Sequence, residues 1–404
     1  MNKTTFALAA LALIAASCTK TEVVGSGPET SGSGINFSAY TAKPTKAAQT
    51  DVTTANFSSF EVTAIGNGAT YFDNVTFTKK VSGIWESVNP YFWPAFALDF
   101  YAYNTPQYAE TFTHTINASD EQTLYVKTNT DISKQEDLVA VYAGGKKEND
   151  NNEKKAIPLI FNHYLTQVVV NAKNANATYK VEVCGVKLAN LSQDGTYTFY
   201  NNTYAENVIE NKMVANGDNV NSATSVNYTA TFDSKTLGSD AQLVMPTINI
   251  GTESAPENTT GRWYLIPQSV TPWSRGVAES ESDDIMKNNA NGTYLALKVR
   301  ITANEGALKI YPATVINEET FAWMAVPVPA ALAFAQGKKY NVTIEFFSND
   351  GSKGAGYVDP EVPGDLDGDG VATNDNGKKI IGGAIKFDAS VSEWGDTVDV
   401  NIYL

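Results

Sequence analysis

Apolar and polar residues alternate in short runs along most of this chain. In the run that ends at Tyr103, the side chains of Phe96, Leu98 and Phe100 share one face, and Tyr101 and Tyr103 share the other. A period of two is typical of a half-buried β-strand, and aromatic side chains bury large areas wherever they enter a core. This stretch is therefore predicted to form the hydrophobic centre of a β-sheet.

The same alternation recurs from end to end of the chain and predicts an all-β fold. It places strands at 35–40, 60–64, 70–79, 123–127, 137–142, 295–301, 340–346, 385–391 and 398–404. A change of phase next to Gly185 predicts a β-bulge. Pro329–Gln336, with Gly337 as its C-cap, is predicted as the only short helix.

One polar segment divides the chain into two parts. Gly144–Lys155 is rich in Asn, Lys and Glu and has no apolar period, which favours a linker. The chain has 404 residues, 43% of them hydrophobic, and can bury two cores. We expect an N-terminal domain over residues 35–155 and a C-terminal domain over residues 156–404.

The net charge and the cysteine content limit the classes of function and of stabilisation that fit this chain. A formal net charge of -15 argues against nucleic-acid binding, because phosphate neutralisation needs clustered Lys and Arg, and it suits a solvated extracellular surface. Of the two cysteines, Cys18 lies at the end of an export segment, and this leaves Cys184 alone in the body of the chain. A disulfide framework is excluded, and Cys184 is predicted to be a small buried hydrophobe.

The first residues read as a secretory signal. Lys3 precedes an apolar run at 6–14, which is too short to span a bilayer, and small residues follow up to Cys18. The cysteine after small residues resembles a bacterial lipobox, although Ala15 stands where Leu is commonest. We expect a signal peptide at 1–17, lipidation of Cys18 and a flexible tether at 18–34. Plain signal cleavage and an inert cysteine are the alternatives.

The sequence contains little that indicates a catalytic site. The two histidines, His114 and His163, are far apart, and no nucleophile motif or zinc signature accompanies them. His163 is expected to be a structural histidine satisfied by backbone partners at the start of a strand. The sequence predicts a protein that is not an enzyme; a glycosidase carboxylate pair hidden among the acidic residues is the alternative.

An acidic loop near the C-terminus is the one candidate metal site. Asp365, Asp367 and Asp369 alternate ahead of a glycine, as in the first half of an EF-hand-type calcium loop. The twelfth position is Asn376 rather than a bidentate Glu. A calcium site and a plain acidic turn both fit this segment, and no other cofactor is expected.

Several stretches together resemble the fimbrillin family of type V pilus subunits. They are Trp85, Tyr91–Pro94, Leu98–Tyr103, Ile157–Val170, Trp263–Gln268 and Gly337–Val342. Their order and spacing carry the resemblance over nearly all of the chain after residue 34. It implies two tandem antiparallel β-sandwich domains with transthyretin-like Greek-key connections.

The resemblance also implies proteolytic processing. Fimbrillins are cut after a basic residue in a Thr-Arg-Ala context, and Thr45-Lys46-Ala47 matches that position with Lys in place of Arg. The surrounding loop is small and polar, as exposed cleavage sites are. We expect cleavage after Lys46, or after Lys43 as second choice, to remove the strand at 35–46. An ordinary solvated Lys46 is the alternative.

The C-terminus is a fully patterned strand in which Val398, Val400, Ile402 and Leu404 share one face. It can be an edge strand of its own domain or a donor strand for another molecule. The implied function is a pilin, held in the outer membrane by its lipid until cleavage and then polymerised head to tail with other pilus subunits in a surface fimbrium that supports adhesion.

Two other roles stay open at this stage. The protein could be the uncleaved anchor or a tip adhesin of the same pilus, with a host or bacterial surface ligand. It could instead be a lipid-tethered glycan-binding protein that uses Tyr101 and Tyr103 as surface aromatics.

Overall fold

The computed structural model describes residues 34–41, 57–119, 122–147, 156–199, 212–216, 225–249, 258–273, 292–303, 308–313, 321–348, 356–361, 379–380, 385–393 and 400–402. Within these ranges the chain is almost entirely β-structure, and the 3₁₀ turn Ile132–Lys134 is its one helical element. No helix of this part is long and apolar enough to cross a membrane.

The first strands close into a barrel. The first nine strands of the chain are β1 (Phe37–Thr41), β2 (Ser59–Gly66), β3 (Ala69–Lys79), β4 (Trp85–Ser87), β5 (Leu98–Tyr103), β6 (Thr111–Thr115), β7 (Thr123–Lys127), β8 (Val139–Lys146) and β9 (Ile157–His163). Seven of them pair in the order β1-β4-β3-β2-β5-β8-β9, and β1 joins the two ends. The alternation of buried and exposed side chains along β9 shows why this segment forms a strand with one face in the core.

Two larger sheets form a second unit. The remaining strands are β10 (Thr166–Asn174), β11 (Tyr179–Ser192), β12 (Asp194–Thr198), β13 (Lys212–Ala215), β14 (Ser225–Thr236), β15 (Gln242–Leu243), β16 (Thr247–Asn249), β17 (Asn258–Thr260), β18 (Trp263–Leu265), β19 (Gln268–Ser269), β20 (Tyr294–Ala303), β21 (Leu308–Tyr311), β22 (Ala322–Pro327), β23 (Ala333–Phe334), β24 (Lys338–Phe346), β25 (Tyr357–Val358), β26 (Ile385–Glu393) and β27 (Val400–Ile402). One sheet runs β15-β10-β24-β26-β27 with β18 beside β10, and the other runs β14-β11-β20-β22-β25 with β21 beside β20. Their inner faces share one large hydrophobic core.

The two cores differ in composition. The barrel core is built around aromatic rings: Phe37, Phe57, Phe60, Phe72, Phe77, Trp85, Phe100 and Phe161. The core of the second unit is mainly aliphatic, with residues such as Val168, Val186, Leu297 and Ile344. The all-β fold class predicted from the alternation is confirmed, and the transthyretin-like Greek-key connectivity stays a prediction.

The boundary predicted at residue 156 does not follow the sheets. β9 lies after that boundary and yet belongs to the barrel, where it pairs with β1 and β8. A four-stranded sheet, β13-β12-β7-β6, also joins strands from both sides of the boundary. Residues 144–146 of the predicted linker belong to β8, and the next described strand, β9, pairs with β8 directly.

Two local predictions have opposite outcomes. The bulge is confirmed, since the pairing of β11 with both neighbours shifts between Val183 and Gly185. The helix at Pro329–Gln336 is wrong: Ala333 and Phe334 form β23 and pair with β19. Burial of the Phe334 ring and this pairing override the helix propensity of an alanine-rich segment. Gly337 does adopt a positive φ of 66°, as a turn position rather than a C-cap.

Candidate functional site

The strand that closes the barrel is the candidate site. β1 pairs in parallel with β9 over five residue pairs, from Phe37 opposite Ile157 to Thr41 opposite Phe161. On its other side Phe37 lies opposite Trp85 of β4 in an antiparallel pairing. The strand is therefore held by backbone hydrogen bonds at both edges, and its loss would leave two edges of the barrel unpaired.

The side chain of Phe37 anchors this strand in the core. It is fully buried, and its ring makes edge contacts with Phe77 at 4.7 Å, Phe100 at 5.2 Å and Phe60 at 6.0 Å between centroids. Edge-to-face contacts at these distances are favourable beyond the area they bury. The neighbouring Ile35 is buried as well. Without β1 the barrel would expose a groove lined by phenylalanine rings.

The aromatic stretch identified in the sequence surrounds this groove. The amide nitrogen of Ile35 donates to the carbonyl oxygen of Tyr91 at 2.7 Å, while the Tyr91 ring lies 4.6 Å from Phe72. The Trp93 ring packs edge-on against Phe100 at 5.9 Å. The segment after β4 thus lines the entry to the groove and bonds to the residues just before β1.

The tyrosines on the opposite face of β5 are buried too. Tyr101 and Tyr103 belong to a third core, beneath the sheet formed by β6, β7, β12 and β13. The Tyr103 hydroxyl donates to Asn74 Oδ1 at 2.8 Å, and burial raises the pKa of this hydroxyl well above its ordinary value. The prediction of a glycan surface built on Tyr101 and Tyr103 is wrong, because a second sheet covers the face that alternation alone assigns to solvent.

The predicted C-terminal strand is visible in part. Val400 and Ile402 lie in β27, which pairs antiparallel with β26 over three residue pairs and forms the edge of its sheet. Val398 and Leu404 lie outside the described residues. In this conformation the segment is an edge strand of its own domain, the first of the two roles that its pattern allows.

Comparison with known proteins identifies the family of the chain. A family model described as fimbrillin-like matches residues 41–360. The chain belongs to the fimbrillin-like family. None of the curated proteins matches it.

The chain is also similar to solved structures. A fimbrial protein from Bacteroides vulgatus ATCC 8482 is 13% identical, with a TM-score of 0.46 and coverage of 89% of this chain and 99% of that chain. The fimbrial anchor protein Mfa2 from Porphyromonas gingivalis is 9% identical, with a TM-score of 0.29 and coverage of 78% of this chain and 91% of that chain.

Several predicted site residues of this fimbrillin-like protein lie outside the described residues. They are Cys18, Lys43, Lys46, Ala47, Asp365, Asp367, Asp369 and Asn376. Lipidation, cleavage and calcium binding therefore stay predictions. Among the described residues, no group of three or more His, Cys, Asp or Glu side chains is placed to hold a metal ion.

The two remaining residues that the sequence singled out have structural surroundings. His163 ends β9, and its Nδ1 lies 2.7 Å from Oδ2 of the fully buried Asp137. His163 thus has a carboxylate partner and stands at a strand end rather than a strand start, where the pair connects β9 to the residues before β8. Cys184 is half-buried, next to the bulge of β11.

Sequence reasoning missed one buried group of charges. Lys187 of β11 and Asp359, just after β25, have side chains only 7% and 0% exposed, and they contact each other. The signal was present in the sequence, because Lys187 stands between Val186 and Leu188 in an apolar run. A lysine in such a run indicates a buried cation, which needs a buried partner.

Proposed function

We propose that this fimbrillin-like protein is a pilin-type subunit, exported as a lipoprotein on Cys18, cleaved near Lys46 and polymerised by exchange of a terminal strand. Membership of the family supports a role as a pilus subunit. The observation that carries the proposed strand exchange is the position of β1 in the closed barrel, paired with β4 on one side and β9 on the other. The predicted cleavage site follows this strand in the sequence, so that cutting there separates β1 from the rest of the barrel.

Loss of β1 creates an acceptor groove. Burial of a single Phe or Ile side chain contributes about 1.5–3 kcal/mol, so exposure of the sites of Phe37 and Ile35 is costly. The backbone groups of β9 and β4 that face β1 lose their partners at the same time. An apolar groove flanked by unpaired strand edges binds an extended, alternating peptide well.

The C-terminal strand of a second copy supplies such a peptide. Val398, Val400, Ile402 and Leu404 present an apolar residue at every second position, as a groove built for Phe37 and its neighbours requires. Among the described residues, β27 pairs with β26 over three residue pairs and lies at the edge of its sheet, a position from which a strand can be donated. A strand donated from one end to a groove at the other is a head-to-tail contact that does not close, and it builds a filament.

Lipidation at Cys18 would make membrane attachment precede cleavage, and cleavage precede polymerisation. An acyl chain on Cys18 holds the precursor at the outer membrane, and cleavage after Lys46 removes the lipid and β1 together. Release and activation are then one step, which places the polymer at the cell surface as a fimbrium available for adhesion. An uncleaved anchor or tip subunit keeps both the lipid and β1.

The test is the N-terminus of the protein sheared from the cell surface, measured by mass spectrometry together with oligomer size. We expect a terminus at Ala47, or at Pro44 for the second site, in material of high mass. A Lys43→Ala, Lys46→Ala double variant should stay monomeric and lipidated, whereas Lys80→Ala, an exposed lysine in a turn, should assemble normally.

Two results would overturn the proposal. A lipid-modified Cys18 as the only terminus would assign the protein to an anchor or to a tethered binding role. Intact filaments from a chain lacking residues 397–404 would exclude the C-terminal strand as the donor.

A further inference from the structure

The pair formed by Lys187 and Asp359 has a geometry that a plain ion pair does not need. Lys187 Nζ lies 2.5 Å from Asp359 Oδ2, below the roughly 2.7–2.9 Å usual for a charged N–H···O contact. Both side chains are almost completely buried. A buried amine and a buried carboxyl group are thus held in contact, away from solvent, which is the first requirement for a reaction between them.

Aromatic side chains enclose the pair. Lys187 Nζ lies 5.2 Å from the ring centroid of Tyr294 and 5.6 Å from that of Trp323. Trp273 packs against Tyr294 and Tyr357, with centroids 6.0 Å and 5.5 Å apart. This small cluster is separate from the main core of the sandwich. It excludes water from the amine and the carboxyl group.

The two oxygens of Asp359 have different surroundings. Oδ1 accepts two hydrogen bonds, from the Tyr294 hydroxyl at 2.8 Å and from the backbone amide of Glu361 at 3.0 Å. Oδ2 accepts no hydrogen bond from the described residues and faces the lysine. The carboxyl group is thus polarised in one sense, with donors on one oxygen and an amine beside the other.

A second carboxylate completes the arrangement. Glu361 Oε2 lies 3.3 Å from Lys187 Nζ and is held in place by the side-chain amide of Asn227 at 2.9 Å. Glu361 is exposed, in contrast to the buried Asp359, so it lies between the buried pair and solvent. An acceptor beside the amine and two donors on the carboxyl oxygen are the groups that acyl transfer requires.

We propose that Lys187 and Asp359 condense into an intramolecular amide bond, with Glu361 as the proton carrier. This inference is independent of the pilin proposal, because it concerns a bond within one folded chain. The bond would join β11 to the residue that follows β25.

The reaction balances without any co-reactant. A proton passes from the Lys187 ammonium to Asp359 Oδ2, which gives a free amine and a neutral acid. Nζ then attacks Cγ, and the electron pair of the C=O bond moves to Oδ1, where Tyr294 and the Glu361 amide stabilise the charge. Glu361 takes a proton from Nζ and returns it to Oδ2, which leaves as water while the C=O bond reforms.

The bond would change the response of the second unit to force. A cross-link between positions far apart in sequence restricts the unfolded chain, in the same sense as a disulfide does. It needs no oxidant and cannot be reduced. In a subunit that carries tension, β25 and the segment to Glu361 would stay attached to β11 even when backbone hydrogen bonds break.

The experiment is peptide mapping of the folded full chain by tandem mass spectrometry, after digestion under denaturing conditions. This readout is unaffected by processing at the N-terminus. We expect a branched peptide that joins the segments around Lys187 and Asp359, lighter than the sum of the two by one water molecule. Trypsin should fail to cut after Lys187.

Three variants and one control sharpen the result. Lys187→Arg keeps the charge and should abolish the branched peptide, and Glu361→Gln should slow its formation by about a hundredfold or more. Asp359→Asn should give the same amide with loss of ammonia in place of water. Lys180→Arg, on the same strand and far more exposed, should leave the branched peptide unchanged.

Two outcomes would overturn the inference. One is recovery of the Lys187 and Asp359 peptides as separate, unmodified species from wild-type protein whose fold is verified by circular dichroism. The other is a branched peptide that persists in Lys187→Arg, because the cross-link would then lie elsewhere. If Lys187→Arg fails to fold, Glu361→Gln provides the test, since Glu361 lies at the edge of the cluster and its amide isostere keeps the local contacts.

Discussion

The two terminal strands of this protein are attached to their sheets in different ways. β1 pairs with a neighbour at each edge and buries Phe37 completely, and it is the element that joins the ends of the barrel. β27 pairs with β26 alone, over three residue pairs, at the margin of an open sheet. The first strand is part of the core of its domain, whereas the last, as far as the structure describes it, is an edge strand paired through its backbone.

The two cores explain why this difference matters. Aromatic rings from most strands of the barrel converge on the site of Phe37, so that one strand contributes contacts to the whole core. In the second unit, long strands such as β11 and β20 pair over many residues, and the core they enclose is mainly aliphatic. Terminal position alone therefore does not make a strand expendable.

The largest expected effect comes from deleting each terminal strand in turn. Removal of residues 34–41 should abolish the near-ultraviolet circular dichroism of the barrel aromatics and lower its stability by more than about 3 kcal/mol, because two large buried side chains are lost. Removal of residues 397–404 should leave both signals nearly unchanged. Addition of a peptide of residues 397–404 should restore the first variant. Equal losses in the two deletions would contradict the comparison.

A single substitution probes the same site more gently. Phe37→Ala should destabilise the barrel by about 3–5 kcal/mol, measured by urea unfolding, because the cavity is surrounded by rings that cannot all collapse into it. The matched control is Tyr40→Ala on the same strand, where the side chain is 42% exposed and the change should be within about 0.5 kcal/mol. Similar values for the two variants would show that β1 is not anchored by its buried face.

In the second unit, the ion pair of Glu182 with Arg300 is expected to make a smaller contribution to stability, and one that depends on pH. Hydrogen bonding to Arg300 lowers the pKa of Glu182 below its ordinary value of 4.5. The contribution of the pair is therefore fully present above pH 4.5 and is lost as the pH falls through the folded-state pKa. Glu182→Gln should cost about 1 kcal/mol or less at neutral pH and nothing in strong acid, by thermal unfolding across pH. A cost that stays constant with pH would point to packing instead.

In the barrel, Glu61 is expected to make stability change with pH in the opposite direction, and this is the smallest of the expected effects. Burial raises the pKa of Glu61 on β2 above 4.5, so its charged form is disfavoured in the folded state. This penalty is absent below pH 4.5 and develops as the pH rises through the folded-state pKa. Glu61→Gln should therefore gain stability relative to wild type between acid and neutral pH, in the same thermal assay. A loss with rising pH would show that the hydrogen bonds of Glu61 dominate over its burial.

Much of the fold could be predicted from local pattern. The alternation around Leu98, Phe100 and Ala102 gave β5, and the phase change at Gly185 gave the bulge, because strand geometry is a property of neighbouring residues. The parallel pairing of β1 with β9 could not be predicted in this way, since no local signal names a partner strand. For the same reason, the pattern could not show that β9, which follows the boundary predicted at residue 156, pairs with the barrel strands β1 and β8.

The errors share one physical cause. Alternation places Tyr101 and Tyr103 on the face of β5 opposite Phe100, which left a surface role for them open, and the composition of Pro329–Gln336 predicts a helix. In both cases a distant segment covers or pairs with the residues: the four-stranded sheet in the first, β19 in the second. Burial by a second layer is invisible to period and propensity, and it also hid the partnership of Lys187 with Asp359.

The pairing of β1 with β9 also fixes an order in time. β1 is made early in synthesis, but residue 37 can pair only after residue 157 has been made. A contact over such a stretch of chain forms slowly, because loop closure must precede it. Every newly made molecule thus passes through an interval in which its barrel is open, and during that interval its own first strand competes with any other strand that fits the same position.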